Sequence, residues 1–323
     1  MKRFVVIGLL GGAVGVFGAA ILPSVAPLAL AQSYPSRPVN VIVPFPPGGN
    51  TDIMARALQN EMSKALSQTM VIINKPGAAG TLGLIELSRA APDGYTLALT
   101  PNNPLTAQPH VQKLPYAMQS FRFVCLTYYV PYVLMASPRA PFSTFADFVT
   151  FAKAKNDNLI YASPGPGTQP HLGILSALNA IKAEGVHVPF TGAGPMTQAM
   201  LAGTVMAMSE STAVAKAGNL VVLAAQTKER IPALPNVATM AELGYPSEAF
   251  SAGDIVVPAK TPDAVVARLQ KACAEAVASD GYKSASEKLN ATARYLPEAE
   301  FKAMFEADSA HNAEAVKKAG ITQ

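Results

Sequence analysis

Two glycine-rich segments, each set between an apolar run and a helical pattern, constrain this chain more than any other feature. The first is Phe45-Pro46-Pro47-Gly48-Gly49-Asn50-Thr51-Asp52, after the apolar run at 39–43. The second is Ser163-Pro164-Gly165-Pro166-Gly167-Thr168-Gln169-Pro170-His171, after the run at 159–162. A glycine-rich turn that opens a helix offers unpaired backbone N–H groups at the positive end of the helix dipole. In open parallel sheets such turns lie off the carboxyl ends of the strands, where ligands bind. Two of them, in separate halves, point to two lobes that grip one anionic molecule.

The patterning around them is that of repeated βαβ units. Residues 39–43 read as a strand, and Ile53, Met54, Ala57, Leu58, Met62, Ala65 and Leu66 recur at helical spacing. A strand at 70–73, a loop at 76–80, a helix at 82–90, a turn at 92–94 and a strand at 95–99 follow. The second half predicts strands at 159–162, 186–190, 205–208 and 221–225, with helices at 170–183 and 195–202. A strand at 255–257 and helices at 261–278 and 298–319 read as a return to the first half. The fold class is therefore α/β, with two lobes, each a mainly parallel sheet flanked by helices. Crossings at 124–136 and 243–253 would form a two-segment hinge. The expected limits are 1–31 for a leader, 32–130 with 254–323 for the first lobe, and 131–253 for the second.

The leader is read from Lys2 and Arg3, the apolar run at 4–20, and Ala29-Leu30-Ala31 before Gln32. Together these are the marks of a cleavable export signal, cut between Ala31 and Gln32, and they place the protein in the periplasm. Its removal leaves 292 residues with 23 basic against 21 acidic side chains. That near-balance argues against nucleic acid as a partner. Half the residues are apolar, which excludes a disordered chain. Cys125, in an apolar run, and Cys273, on a helical pattern, read as two buried thiols. An oxidising compartment would let them pair, and the sequence leaves open whether they meet.

Enzyme and nucleotide motifs are absent from the sequence. There is no G-x-x-x-x-G-K-[ST] loop, no complete G-x-G-x-x-G, no H-E-x-x-H and no G-x-S-x-G. No metal or cofactor is expected. Asn50, Thr51, Ser163 and Thr168 would add side-chain donors or acceptors beside the N–H groups. Asp52 reads first as a first-turn acid and second as a ligand contact. Pro47 and Pro170 suit helix starts. His171 could donate to a carboxylate or serve packing, and His187 reads as structural. Glu210 shows no acid–base partner.

Taken together these residues resemble a known family. "YPSRPVNVIVPFPPGGNTDIMARAL" at 34–58, "NKPGAAGTLG" at 74–83, "APDGYTL" at 91–97 and "KLPY" at 113–116 are one part of the match. "YASPGPGTQPHL" at 161–172, "VHVPFTGAGPM" at 186–196, "ALPNVATMAELGYP" at 233–246 and "KAGI" near the end are the other. The set resembles Bug proteins, the periplasmic solute-binding proteins of tripartite tricarboxylate transporters (the TctC family). The resemblance implies a type II binding protein, a "Venus flytrap" that holds carboxylates without catalysis. It implies that loops matching 46–52 and 163–171 hold the ligand through backbone N–H groups and water, which accounts for the lack of Arg or Lys in either loop.

Some positions depart from the family pattern: Gln169-Pro170, Thr191, the short segment 208–216 with Ser209-Glu210-Ser211, and the Asn102-Asn103 loop. These would line the outer pocket. The expected ligand contacts are Phe45, Pro47, Gly48, Gly49, Asn50, Thr51 and Asp52; Asn102 and Asn103; Ser163, Gly165, Gly167, Thr168, Gln169 and His171; and Glu210. The expected function is capture of a small carboxylate by a monomer for delivery to membrane transporter subunits. The alternative is a ligand-sensing adaptor that presents the same fold to a signalling receptor.

Overall fold

The computed structural model describes Met1, residues 34–154 and residues 159–321. The expected leader and its cleavage point lie outside the described residues. Three parallel strands open the fold: β1 (Val39–Val43) is flanked by β2 (Met70–Asn74) and β3 (Thr96–Pro101). Helices α1 (Asn50–Leu66) and α2 (Thr81–Ser88) make the connections. Two short helices, α3 (Asn103–Thr106) and α4 (Gln108–Val111), lead to β4 (Phe121–Ala136).

The second half holds α5 (Phe145–Lys153), β5 (Ile160–Ser163), α6 (Gln169–Ile181), β6 (Val186–Pro189) and α7 (Ala193–Ala202). It continues with β7 (Ala207–Ser211), α8 (Thr212–Ala217) and β8 (Val221–Ala225). The chain returns through β9 (Phe250–Pro258) to α9 (Asp263–Ala278), α10 (Asp280–Lys288), β10 (Thr292–Leu296) and α11 (Glu298–Ala319).

The two lobes share one sheet, with the path β2-β1-β3-β9-β4-β7-β5-β6. The parallel pairing is confined to β2–β1–β3 and β7–β5–β6. The middle is antiparallel, because β4 carries the chain out and β9 carries it back. β4 is 16 residues long and changes partners part-way. It pairs with β10 up to Tyr129 and with β9 up to Pro131; from Tyr132 onward it pairs with β7 and β8. Pro131 stands at the exchange. A residue without an N–H suits a point where one ladder ends and the next begins.

Each face of each sheet half buries its own apolar cluster. Val41, Leu97, Ile255 and Val257 face α1 and α9, while Ile42, Ala98 and Val256 face α2 and α11. The period-2 alternation of β1 and β3 therefore serves two helical layers at once. Strand β7 runs later than the apolar run 205–208 suggested, because Ser209 and Glu210 find ladder partners in Leu134 and Val133.

The two cysteines are not free thiols. Cys125 of β4 and Cys273 of α9 form a disulfide that closes a sequence separation of 148. Their apolar settings, which suggested inert thiols, are the two sides of one buried contact, with both residues at 0% exposure.

Candidate functional site

Both glycine-rich turns open helices, and both helices start without a side-chain cap. Gly49 is the N-cap of α1 and has no side chain to offer. Gly48 before it sits at φ +82°, a left-handed conformation that favours glycine. The first helical bond runs from the Ile53 N–H to the Gly49 carbonyl at 3.0 Å. The N–H groups of Asn50, Thr51 and Asp52 thus meet no acceptor among the described residues. Pro46 to Asn50 are exposed, and Phe45 is half-buried against Gly80.

In the second turn Thr168 is the N-cap, yet its hydroxyl donates to the Gly165 carbonyl at 2.7 Å and leaves the helix uncapped. Pro170 in the first turn has no N–H, so the open donors there are Gln169 and His171. Gly165 and Gly167 take φ of +126° and +70°.

Asp52 is only 2% exposed, and its carboxylate is fully engaged within the protein. It accepts from the Gly48 N–H, Arg56 Nε and Asn74 Nδ2, each at 2.9 Å. Burial alone would raise its pKa; the bonds from Arg56, Gly48 and Asn74 more than offset this and hold it below the usual range. Asn74 also donates to the Phe45 carbonyl at 3.0 Å. In the second turn His171 Nδ1 accepts the Gly167 N–H at 3.1 Å. Burial, aided by the neighbouring His187, pushes His171 down to about 3. Ser163 Oγ accepts from the Gly165 N–H at 3.1 Å and lies 2.6 Å from His187 Nε2.

The amides of Asn102, Asn103 and Gln169 turn inward. Asn103 Nδ2 donates to the Gly167 carbonyl at 2.8 Å, beside Gln108 Nε2 at 3.2 Å. Asn102 Nδ2 and Gln169 Nε2 both donate to Asp308 of α11, at 2.9 and 3.3 Å. The second turn is thereby tied to α3, α4 and α11, whereas the first stands more open. Glu210, partly buried at the end of β7, accepts the Ser211 N–H at 2.6 Å, and burial pushes its carboxyl up.

The sequence reading missed three buried polar residues near these turns. Tyr128 and Tyr132 lie on β4, with Tyr128 in contact with Thr51 of the first turn. Their spacing of four places both on one face of a strand, a signal hidden inside an apolar run. The third, Asp254 of β9, is opposite Thr100 and Leu126. It is 0% exposed, and neither oxygen finds a partner among the described residues. Burial pushes its carboxyl well up. Among the described residues no group of three or more metal-ligating side chains occurs.

The chain is similar to several known proteins. The profile of the family described as "Tripartite tricarboxylate transporter family receptor" (TctC) matches residues 54–321. The protein BugT of Bordetella pertussis is 32% identical over 272 residues, 81% of this chain and 83% of its own. The structure of MatC from Rhodopseudomonas palustris, solved with malate, is 29% identical, with a TM-score of 0.73 over 88% of this chain and all of its own. A second R. palustris structure, with adipate, is 26% identical, with a TM-score of 0.76 over 89% of this chain and 98% of its own.

Proposed function

The chain belongs to the TctC family, the receptors of tripartite tricarboxylate transporters, and from that premise we propose that it captures a small carboxylate in the periplasm for delivery to membrane transporter subunits. Its family and fold are those of solute-binding proteins, not of enzymes. One observation carries the reading: two helices, one in each half, begin at parallel strand ends with their first-turn N–H groups uncapped. Such ends attract anions through partial positive charge and free donors. Malate and adipate in the related structures are anions of this class.

In this mechanism one carboxylate oxygen set meets the N–H groups of Asn50, Thr51 and Asp52, and another meets those of Gln169 and His171. Tyr128, Tyr132 and Glu210 contribute polar groups near the crossing strands. The lobes are residues 32–130 with 254–323 and residues 131–253, and they close about β4 and β9. Closure must gain contacts that the open form lacks, or the ligand would shift nothing.

Thermal unfolding against a carboxylate panel including malate and adipate tests this. A ligand at 100 times its Kd should add about 2.7 kcal/mol of stability, a clear rise in Tm. A flat panel, with denatured protein free of retained acid by mass spectrometry, would sink the carboxylate reading.

A further inference from the structure

We propose that His171 and His187 form a neutral imidazole clasp that positions the second ligand loop, the counterpart of the Asp52–Asn74 clasp on the first. The proposal deepens the binding reading above and rests on it only for its consequence for affinity.

The two loops are built on one plan. In each, a glycine at positive φ directly precedes the N-cap: Gly48 at +82°, Gly167 at +70°. In each, that glycine's N–H turns back to a side chain four residues on, in the first turn of the helix. Asp52 accepts it at 2.9 Å in the first loop and His171 at 3.1 Å in the second. In each, the neighbouring outer strand supplies a second anchor. From β2, Asn74 holds the Phe45 carbonyl and Asp52. From β6, His187 holds the Ser163 hydroxyl at 2.6 Å and stacks on His171, with centroids 4.0 Å apart and planes 15° apart.

The chemistry of the second clasp differs from the first in one respect. A backbone N–H can only donate, so His171 Nδ1 must be unprotonated and the ring proton must sit on Nε2. A proton on Nδ1 would set two donors against each other. With both nitrogens protonated, the ring would also be a cation 4.0 Å from the second ring. Burial lowers the pKa of both rings, which keeps the pair neutral. Tyr161, which stacks on both rings, and Glu184 adjoin the pair from its own half, and Lys318 of α11 lines the cavity of about 320 Å³ behind it.

The clasp turns the Gly167 N–H inward and leaves the Gln169 and His171 N–H groups to a ligand. It also fixes a glycine-rich segment before binding, which removes an ordering cost from association. Asn103 and Gln108 grip the carbonyl of the same residue, so Gly167 is held through both of its polar groups.

Amide hydrogen exchange of Gly167 in the unliganded protein tests the clasp. His171→Leu should speed exchange about tenfold, the equivalent of one neutral hydrogen bond. His171→Asn, whose Oδ1 can accept the same N–H, should restore most of the protection. Unchanged exchange in folded His171→Leu, or no difference between Leu and Asn, would overturn the proposal. Long-range proton–nitrogen spectra of the wild-type rings at pH 7 guard against variants that do not fold. They should show His171 Nδ1 bare and Nε2 protonated; a protonated Nδ1 refutes the clasp outright. Malate affinity, where malate binds, should fall in the Leu variant and recover with Asn. Failure of every carboxylate to bind would refute the functional reading while the exchange data still decide the clasp.

Discussion

At the scale of single residues, Asp254 is a buried acid whose protonation bears on stability. A carboxyl with no exposure and no partner among the described residues is tolerable only when neutral. Its pKa in the folded chain is raised well above the usual value, so the folded state holds a proton that the unfolded chain sheds above about pH 4. Stability contributed by that proton is complete below the unfolded pKa and declines as pH rises. Asp254→Asn should therefore unfold at a higher temperature than the parent at pH 8. The advantage should shrink toward pH 4 in a melting series. A constant difference across the range would mean that Asp254 is ionised or solvated in the native protein. Nothing in the sequence marks this residue, because one acid in an apolar run gives no sign of what will surround it. Asp52 was more legible: its place in a helical first turn predicted a structural use, and three hydrogen bonds supply it.

At the scale of elements, the missing caps matter most. A helix start normally gains stability from Ser, Thr, Asp or Asn at the N-cap. Here Gly49 offers nothing, and Thr168 spends its hydroxyl on Gly165. Gly49→Asp should gain a few tenths of a kcal/mol in stability, since the new carboxylate can cap α1 and favour its dipole. The same carboxylate occupies the proposed anion position, so carboxylate affinity should collapse. Affinity unchanged by calorimetry would remove the α1 terminus from the site. The strands and helices around both turns were readable because their apolar periods are undisturbed. Helix α5, with Phe145, Phe148 and Phe151, gives no clear sequence signal, because its aromatic residues follow a stretch with prolines and form no long repeat. The sequence suggests ligand contacts for the amides of Asn102, Asn103 and Gln169, which in the structure bond to Asp308 and the Gly167 carbonyl. A sequence shows that an amide is present but not which carbonyl or carboxylate it will meet.

At the scale of the whole molecule, the disulfide and the shared sheet set the behaviour. Cys125 and Cys273 close a loop of about 150 residues, for which the chain-entropy account gives roughly 5 kcal/mol as an upper figure. Cys125→Ala with Cys273→Ala should lower the unfolding free energy in guanidinium by about 2–5 kcal/mol. Unchanged midpoints with and without reductant would show that the two sulfurs are not bonded. The βαβ order and the two-lobe plan were visible in the sequence, whereas the continuity of the sheet was not. A 16-residue strand with a proline inside it looks like two pieces until its partners are known.

That strand also dictates an order of assembly. β4 receives β9 and β10 along its first part, and those strands lie at Phe250–Pro258 and Thr292–Leu296. A chain that emerges from its N-terminus, whether from a ribosome or through a membrane pore, presents the first part of β4 with both edges open. The first half waits for the last quarter of the chain, while the second half, bounded by β4 and β8, has all its strands by Ala225. The segment made first is therefore among the last to finish, and a chain cut short after β8 leaves an unpaired edge for another molecule to find.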